Sequence, residues 1–202
     1  MKKIAKIFLV VFALIFTITG CSGVDAPGET GQEIITAKEA LNSASEEGVV
    51  LVDARKSSDY KKEHVKGAVN IARNDITTFG PFPNMLASAG AIEKEFSEKG
   101  IANDSTVIVY DSNNNMDSAR LWWTMKVYGH ENVKVVSGGF KEMLDAGAEV
   151  STSTPNVSTA NYEITEKNEE MIATKEDVKS EVNNPEDDVV LLDVRTLEEY
   201  NN

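Results

Sequence analysis

Two hydrophobic patterns alternate between residues 34 and 147. Continuous runs of β-branched and aliphatic residues, Val49–Val52 and Thr106–Tyr110, are typical of strands buried on both faces of a parallel sheet. The stretch "TAKEALNSASEEG" begins with an N-cap residue, Thr36, is rich in good helix formers, and ends at Gly48, which predicts a helix. Strands that alternate with helices predict an α/β fold, with a parallel sheet covered by helices on both faces.

The other elements of this domain follow the same logic. They are a short helix at Ser57–Glu63, a short strand in "GAVNI", a helix within Met85–Lys99, a helix in "SARLWWTMKVYG" with Leu121, Trp122, Met125 and Tyr128 on one side, a strand "VKVV", and a last helix in "SGGFKEMLDAG". Residues 34–147 are therefore predicted to form one complete domain.

A polar loop, "DSNNNMD", separates the strand that ends at Tyr110 from the next helix. Ligands of open α/β sheets bind at the carboxyl ends of strands, so this loop is a candidate site. Asp111, Asn113, Asn115 and Asp117 match the spacing of a calcium loop, but methionine stands where that loop needs glycine and tryptophan where it needs glutamate. A loop that caps the following helix is the better account, and we predict no metal and no cofactor.

The N-terminus carries a targeting signal. "MKKIAKIFLVVFALIFTITGC" has a basic start and an apolar run that is short for a membrane span, which predicts an export signal over residues 1–20. Its last four residues resemble the lipobox of bacterial lipoproteins, which predicts lipid attachment at Cys21 and a tether over residues 21–33; a plain cleaved signal is the alternative. The expected location is the extracytoplasmic face of a bacterial cell membrane, with the membrane as partner through the anchor.

Composition narrows the possible partners. The formal net charge is −13 at pH 7, which argues against nucleic acid because a phosphate backbone needs a basic face. Cys21 is the only cysteine, so the chain can form no internal disulfide, and a lipidated Cys21 leaves no free thiol.

Part of the sequence occurs twice. "VVLVDARKSSDY" and "VVLLDVRTLEEY" align without a gap, and the alignment pairs Asp53 with Asp193 and Arg55 with Arg195. A helix-like segment precedes each copy. Chance similarity of two buried strands would account for the valines but not for the shared Asp-x-Arg, so the pattern indicates an internal duplication.

The second copy is short. We predict a linker over residues 148–170 and the truncated start of a second domain over residues 171–202, because one helix and one strand are too little to bury a core. The loop equivalent to the one at Asp111 is then expected beyond Asn202.

Several motifs in order carry a family resemblance. Asp-x-Arg is followed by His64, Gly67 and Asn70 in a His-x-x-Gly-Ala-x-Asn element, then by "VIVYD" with "ARLWW", and then by "GHENVKVVSGGF". The chain resembles the tandem-domain rhodaneses, the thiosulfate and mercaptopyruvate sulfurtransferases, from Thr36 to Gly147 and again at the start of the second copy.

The resemblance implies sulfur transfer through a cysteine, and it also implies why this chain lacks that cysteine. In that family a loop cysteine takes up a sulfane sulfur as a persulfide, and two-domain members carry this cysteine only in the second repeat, with an aspartate at the matching place of the first. Asp111 resembles that aspartate, in a degenerate active-site loop, so no catalytic residue is predicted in this chain. The family-motif residues to which the resemblance assigns structural roles are Asp53, Arg55, His64, Gly67, Arg120, Asp193 and Arg195.

The predicted function is that of a thiosulfate sulfurtransferase whose catalytic domain is missing from this chain. A small sulfur-containing anion would then bind only in a complete protein. The alternative is a non-catalytic, lipid-anchored binding module.

Individual residues leave further alternatives. His64 and His130 could be general bases, but structural roles are favoured. Arg120 has two interpretations, anion binding and a salt bridge within the fold, and the salt bridge is favoured. Trp122 and Trp123 are interpreted as core and domain-interface residues rather than as a ligand cage.

Overall fold

The computed structural model describes residues 33–80 and 82–201. The predicted signal peptide (residues 1–20), Cys21 and the tether up to residue 32 lie outside the described residues. Among the helices that are described, none combines the length and the apolar content needed to cross a membrane.

The elements alternate as the hydrophobic pattern predicts. In chain order they are β1 (Ile34–Ile35), α1 (Ala37–Ser43), β2 (Val49–Asp53), α2 (Ser57–Lys62), β3 (His64–Val65), β4 (Val69–Asn70), a 3-10 turn (Arg73–Asp75), β5 (Thr77–Thr78), β6 (Met85–Leu86), α3 (Ala89–Glu98), β7 (Thr106–Tyr110), α4 (Met116–Val127), β8 (Val133–Val136), α5 (Gly139–Asp145), β9 (Val150–Ser151), a second 3-10 turn (Glu169–Met171), α6 (Lys175–Asn183) and α7 (Leu197–Asn201).

A parallel sheet forms the centre of the domain, in the order β1-β8-β7-β2-β4. β2 and β7 are in register, so that Asp53 pairs with Tyr110 at their carboxyl ends. Two short antiparallel pairs, β3 with β9 and β5 with β6, lie outside this sheet. The predicted α/β architecture is confirmed.

Each face of the sheet carries its own apolar core. On one face Phe96 of α3 and Leu121 of α4 pack against the sheet, and on the other Ala40 of α1 and Met143 of α5 do so. Each of these side chains is completely buried. Because both faces are covered, the strands need apolar side chains in both directions, which explains the uninterrupted aliphatic runs.

The second copy departs from its expected structure. Its helix α6 forms with a Thr174–Asp177 capping box like that of α1, but the expected strand at residues 189–193 is absent. Val190 is 84% and Leu192 is 78% exposed. The matching strand β2 is held between β4 and β7, and no described residues offer the second copy such neighbours, so its backbone groups have no ladder to join.

The predicted linker, residues 148–170, runs along the first domain. β9 pairs with β3, the amide of Ala160 donates to the carbonyl of Ser97 (3.0 Å), and Tyr162 is buried against Phe96. The Ser, Thr and Asn content of this segment is typical of a linker, but the side chain of Tyr162 is buried and that of Ile164 packs against the core. We call residues 148–170 the strap.

Candidate functional site

The candidate loop begins where β7 ends, and the carboxylate of Asp111 occupies its centre. Oδ1 accepts hydrogen bonds from the amides of Asn113 (2.9 Å) and Asn115 (3.0 Å), and Oδ2 accepts from those of Asp117 and Ser118 (both 2.8 Å). The residue is only 1% exposed. A carboxylate with four backbone donors has its negative charge well compensated although it is buried.

Local backbone conformation and the helix together create this cradle. Asn114 and Asn115 adopt left-handed conformations with φ of 52° and 62°, which turn successive amides toward the same point. α4 begins at Met116, and its first amides are free to donate because they have no partner within the helix. The loop therefore caps the helix, as predicted, and it does so through Asp111, which fills a site whose geometry suits an anion.

The β8–α5 turn closes the cradle from the other side. The amide of Phe140 donates to the carbonyl oxygen of Asp111 (2.6 Å). Gly139 has a φ of 61°, and a Cβ atom built there would lie 2.2 Å from the same oxygen. Glycine is therefore required at position 139 for two separate reasons, its backbone conformation and the close approach of the loop.

We expect Gly139→Ala to lower the free energy of unfolding by about 2–4 kcal/mol, since it adds both left-handed strain and a steric clash. Gly48→Ala is the matched control, because Gly48 has a φ of 79° and open space around its Cβ position. The control should cost only about 1–2 kcal/mol. Urea denaturation followed by circular dichroism measures both, and equal losses would show that the contact with the loop contributes nothing.

A buried ionic network lies beside the cradle, at the carboxyl end of β2. Asp53 accepts from Nε and Nη2 of Arg55 at 2.6–3.0 Å, and the hydroxyl of Tyr110 donates to its Oδ2 (2.9 Å). The amide of Val65 in turn donates to that hydroxyl (3.0 Å). The network thus ties β2, β7 and β3 together next to the loop.

Aromatic contact completes the surroundings of Arg55. Its guanidinium carbon lies 3.7 Å from the ring centroid of Phe140, a cation–π contact. Burial alone would lower the pKa of Arg55, but the hydrogen bonds and charge of Asp53 raise it. Burial, assisted by the carboxylate of Asp53, raises the pKa of Tyr110. Arg55 therefore stays charged and Tyr110 stays neutral in this network.

The comparisons with known proteins agree with these motifs. The family described as "Rhodanese-like domain" matches residues 36–146. The chain belongs to the rhodanese-like family. Over 169 residues it is 30% identical to a protein of Mycobacterium bovis named "Putative thiosulfate sulfurtransferase 1", covering 83% of this chain and 59% of that protein.

Two further relatives are similar in sequence or in fold. The sulfur carrier protein TtuD of Thermus thermophilus is 29% identical over 143 residues, covering 70% of this chain and 50% of its own. The crystal structure of the 3-mercaptopyruvate sulfotransferase SseA from Escherichia coli superposes with a TM-score of 0.69 at 21% identity, covering 75% of this chain and 62% of that one. The chain spans about half to three fifths of the curated relatives it matches.

Within this rhodanese-like domain, the other motif residues lie away from the loop's amides. His64 stacks on Tyr60 with a centroid separation of 3.8 Å, and its Nδ1 and Nε2 face the carbonyl oxygens of Tyr60 (2.8 Å) and Ser153 (3.2 Å). Gly67 has a φ of 88° in the turn between β3 and β4. Because its two ring nitrogens face backbone carbonyl oxygens of α2 and of the strap, His64 connects these two segments. Its structural role stays a prediction.

His130 is also buried inside the rhodanese-like domain. It follows the glycine that ends α4, and its ring stacks on Tyr162 of the strap at 5.7 Å. Burial lowers the pKa of His130. A neutral imidazole fits an apolar environment of this kind, where a charge would be costly.

The prediction that Arg120 forms a salt bridge within the fold is wrong. No carboxylate among the described residues lies within ion-pair distance of its guanidinium, which donates instead to the carbonyl oxygen of Asn84 (2.7 Å) and stacks over Trp123 (4.7 Å). The neighbouring arginine, Arg73, forms the ion pair with Asp117 (2.7 Å). The alternative interpretation of Arg120, anion binding, therefore stays open.

The two tryptophans have different surroundings. The indole of Trp122 donates to Glu33 (2.8 Å), and that of Trp123 donates to the carbonyl oxygen of Met171 (2.9 Å) at the start of the second copy. Both are partly buried. Trp123 thus contacts the start of the predicted second domain, and Trp122 packs at the edge of the core, while their predicted role at a domain interface stays a prediction.

The second copy forms the same Asp-x-Arg ion pair, but at a solvent-exposed position. Nη2 of Arg195 lies 2.7 Å from Oδ2 of Asp193, and the amide of Arg195 donates to Oδ1 (3.0 Å). The side chains of Arg195 and Asp193 are 55% and 34% exposed, against 7% and 0% for Arg55 and Asp53. The pair therefore forms from local geometry alone, without a surrounding core.

Sequence reasoning missed three residues that build the site. They are Tyr110, Phe140 and Gly139. The consecutive glycines before Phe140 are the available sequence signal for a close backbone approach. The described residues bring together no group of three or more His, Cys, Asp or Glu side chains suited to a metal ion.

Proposed function

We propose that this chain is the non-catalytic first part of a sulfurtransferase of the thiosulfate sulfurtransferase type, held at the extracytoplasmic face of a bacterial cell membrane by lipid on Cys21. The observation that carries the proposal is the carboxylate of Asp111 bound by four amides in the loop that corresponds, in the second repeat of the family, to the loop of the catalytic cysteine. The names of the matched relatives, which include a thiosulfate sulfurtransferase and a sulfur carrier protein, support the reaction class.

The chemistry of that class explains why Asp111 cannot perform it. A cysteine thiolate attacks the sulfane sulfur of thiosulfate, the sulfur–sulfur bond breaks and sulfite leaves, and the enzyme keeps a persulfide. Cyanide then takes the outer sulfur as thiocyanate, and the thiolate is regenerated. A carboxylate forms no usable persulfide, and its fixed charge in the cradle also repels thiosulfate.

The catalytic cysteine is proposed to lie in a second rhodanese-like domain that begins in residues 171–202. The repeated Asp193–Arg195 pair and the capped helix α6 support this, because they reproduce the corresponding start of the first domain. From the offset that pairs Asp53 with Asp193, we propose that the cysteine loop lies about fifty residues past Asn202 in the coding sequence.

The direct test is transfer of sulfur from thiosulfate to cyanide by the 202-residue chain. We expect no thiocyanate above background from the purified chain or from its Cys21→Ser variant. The reason is that the only cysteine, Cys21, is not in the candidate loop, where Asp111 stands. A full-length protein that includes a cysteine loop should be active. Thiocyanate production by the Cys21→Ser variant would overturn the assignment of the chemistry to a cysteine elsewhere.

A non-catalytic binding module is the second candidate. The observation that favours it is the guanidinium of Arg120, which has no carboxylate partner among the described residues and lies beside an apolar groove that the sulfur-transfer chemistry does not use. The absence of any cysteine loop in the coding sequence after Asn202 would favour this candidate over the first.

A further inference from the structure

Arg120 carries a charge that no described residue neutralises. Nη2 donates to the carbonyl oxygen of Asn84, the buried Nε has no hydrogen-bond partner in the described part of the chain, and the guanidinium lies over the ring of Trp123. Burial, with a contribution from the positive charge of Arg73, lowers the pKa of Arg120. The cation is thus held in a fixed position, partly shielded from water, without a carboxylate.

This cation lies at the edge of an open groove of about 560 Å³ between α4 and the β6–α3 connection. Apolar surface dominates its walls, which are formed chiefly by Leu86, Trp123, Tyr128, Met171 and Ile172. The polar atoms of the two aromatic residues are used elsewhere: the indole of Trp123 donates to Met171, and the hydroxyl of Tyr128 donates to the carbonyl oxygen of Ala87. Their rings therefore present apolar faces.

The charged side chains among the described residues that line the groove are all positive. No acidic residue is among the described residues that line it. The other cation, Lys167, is paired with Glu169 at 3.1 Å, so its charge is compensated. Arg120 is left as the unpaired charge of the described lining, in a chain whose formal net charge is −13.

We propose that this groove binds a small organic anion, with a carboxylate or sulfonate group on a compact apolar or aromatic body. The oxyanion would accept hydrogen bonds from the guanidinium of Arg120, whose planar fork suits such groups. The apolar body would cover the ring of Trp123 and the side chains beside it. The proposal involves no sulfur transfer and does not use the loop at Asp111, so it stands or falls separately from the proposed function.

Benzenesulfonate is the probe, and binding to the 202-residue chain is followed by tryptophan fluorescence and calorimetry. We expect saturable binding that Arg120→Gln weakens about tenfold or more, because a charge-assisted hydrogen bond is lost. Arg73→Gln is the matched control, since that arginine is already paired with Asp117, and it should change affinity by less than about threefold. Benzyl alcohol, which has no charge, should bind at least about tenfold more weakly.

Two variants test the location. Trp123→Phe should retain binding by calorimetry but lose most of the fluorescence change. Ser88→Glu places a carboxylate at an exposed position of the lining and should weaken binding even if Arg120→Gln fails to fold. The proposal is overturned if the folded chain shows no saturable binding, if Arg120→Gln or Ser88→Glu binds as tightly as the parent, or if benzyl alcohol binds as well as benzenesulfonate.

Discussion

Replacing Asp53 with asparagine is expected to lower the free energy of unfolding by about 3–5 kcal/mol, the typical cost of removing one partner of a buried ion pair. The guanidinium of Arg55 would remain buried without a counter-charge, and the hydroxyl of Tyr110 would face an amide in place of a carboxylate. Asp53 and Arg55 are 0% and 7% exposed, so water cannot replace the lost interactions.

The repeat supplies the matched control in the same chain. Asp193→Asn removes the corresponding carboxylate from a pair with closely similar hydrogen bonds but with 34% and 55% exposed side chains, and we expect a cost below about 1 kcal/mol. Urea denaturation followed by circular dichroism measures both variants. Similar losses at the two positions would show that burial of the Asp53 network adds no stability.

Asp111→Cys, made in a Cys21→Ser background, is expected to give a chain that takes up one sulfur atom from thiosulfate. The cysteine would replace the carboxylate among the amides of Asn113, Asn115, Asp117 and Ser118. Backbone donors at a helix N-terminus stabilise a thiolate and lower the pKa of a cysteine, which makes it a better nucleophile at neutral pH.

Mass spectrometry of the intact protein detects the uptake, and release of thiocyanate on adding cyanide shows that the sulfur can be transferred. Asp111→Ser is the matched control, because it removes the carboxylate without providing a thiol and should take up no sulfur. A folded Asp111→Cys protein that stays unmodified in thiosulfate would show that four amides alone do not make this loop a persulfide site.

Much of the fold follows from local sequence signals. The aliphatic runs of β2 and β7 and the capped helix α1 are encoded within a few residues, and the structure places them as predicted. A loop that caps α4 was likewise predictable, because Asp and Asn residues are common before helices, but the sequence did not indicate that the cap is the carboxylate of Asp111, at the far end of the loop.

The parts that could not be predicted depend on residues far apart in the chain. Val189–Asp193 has nearly the same sequence as β2, yet only β2 forms a strand, because a strand needs neighbours that its own residues do not encode. Arg120 offered no local indication of whether a carboxylate would reach it. The stacking of Arg55 on Phe140 joins positions 55 and 140, which only the packed sheet brings together.

The strap changes where this folding unit should be considered to end. The family match stops at residue 146, yet the rings of Tyr162 and Phe96 meet at 5.0 Å, and the amide of Asn168 donates to the carbonyl oxygen of Val127 (2.7 Å). A fragment that ends at Gly147 would expose to solvent the apolar surface of α3 around Phe96, which Tyr162 covers in the longer chain. For duplication or recombination, the exchangeable module is thus the domain together with the segment that follows it, and a boundary near Ile172 would preserve it.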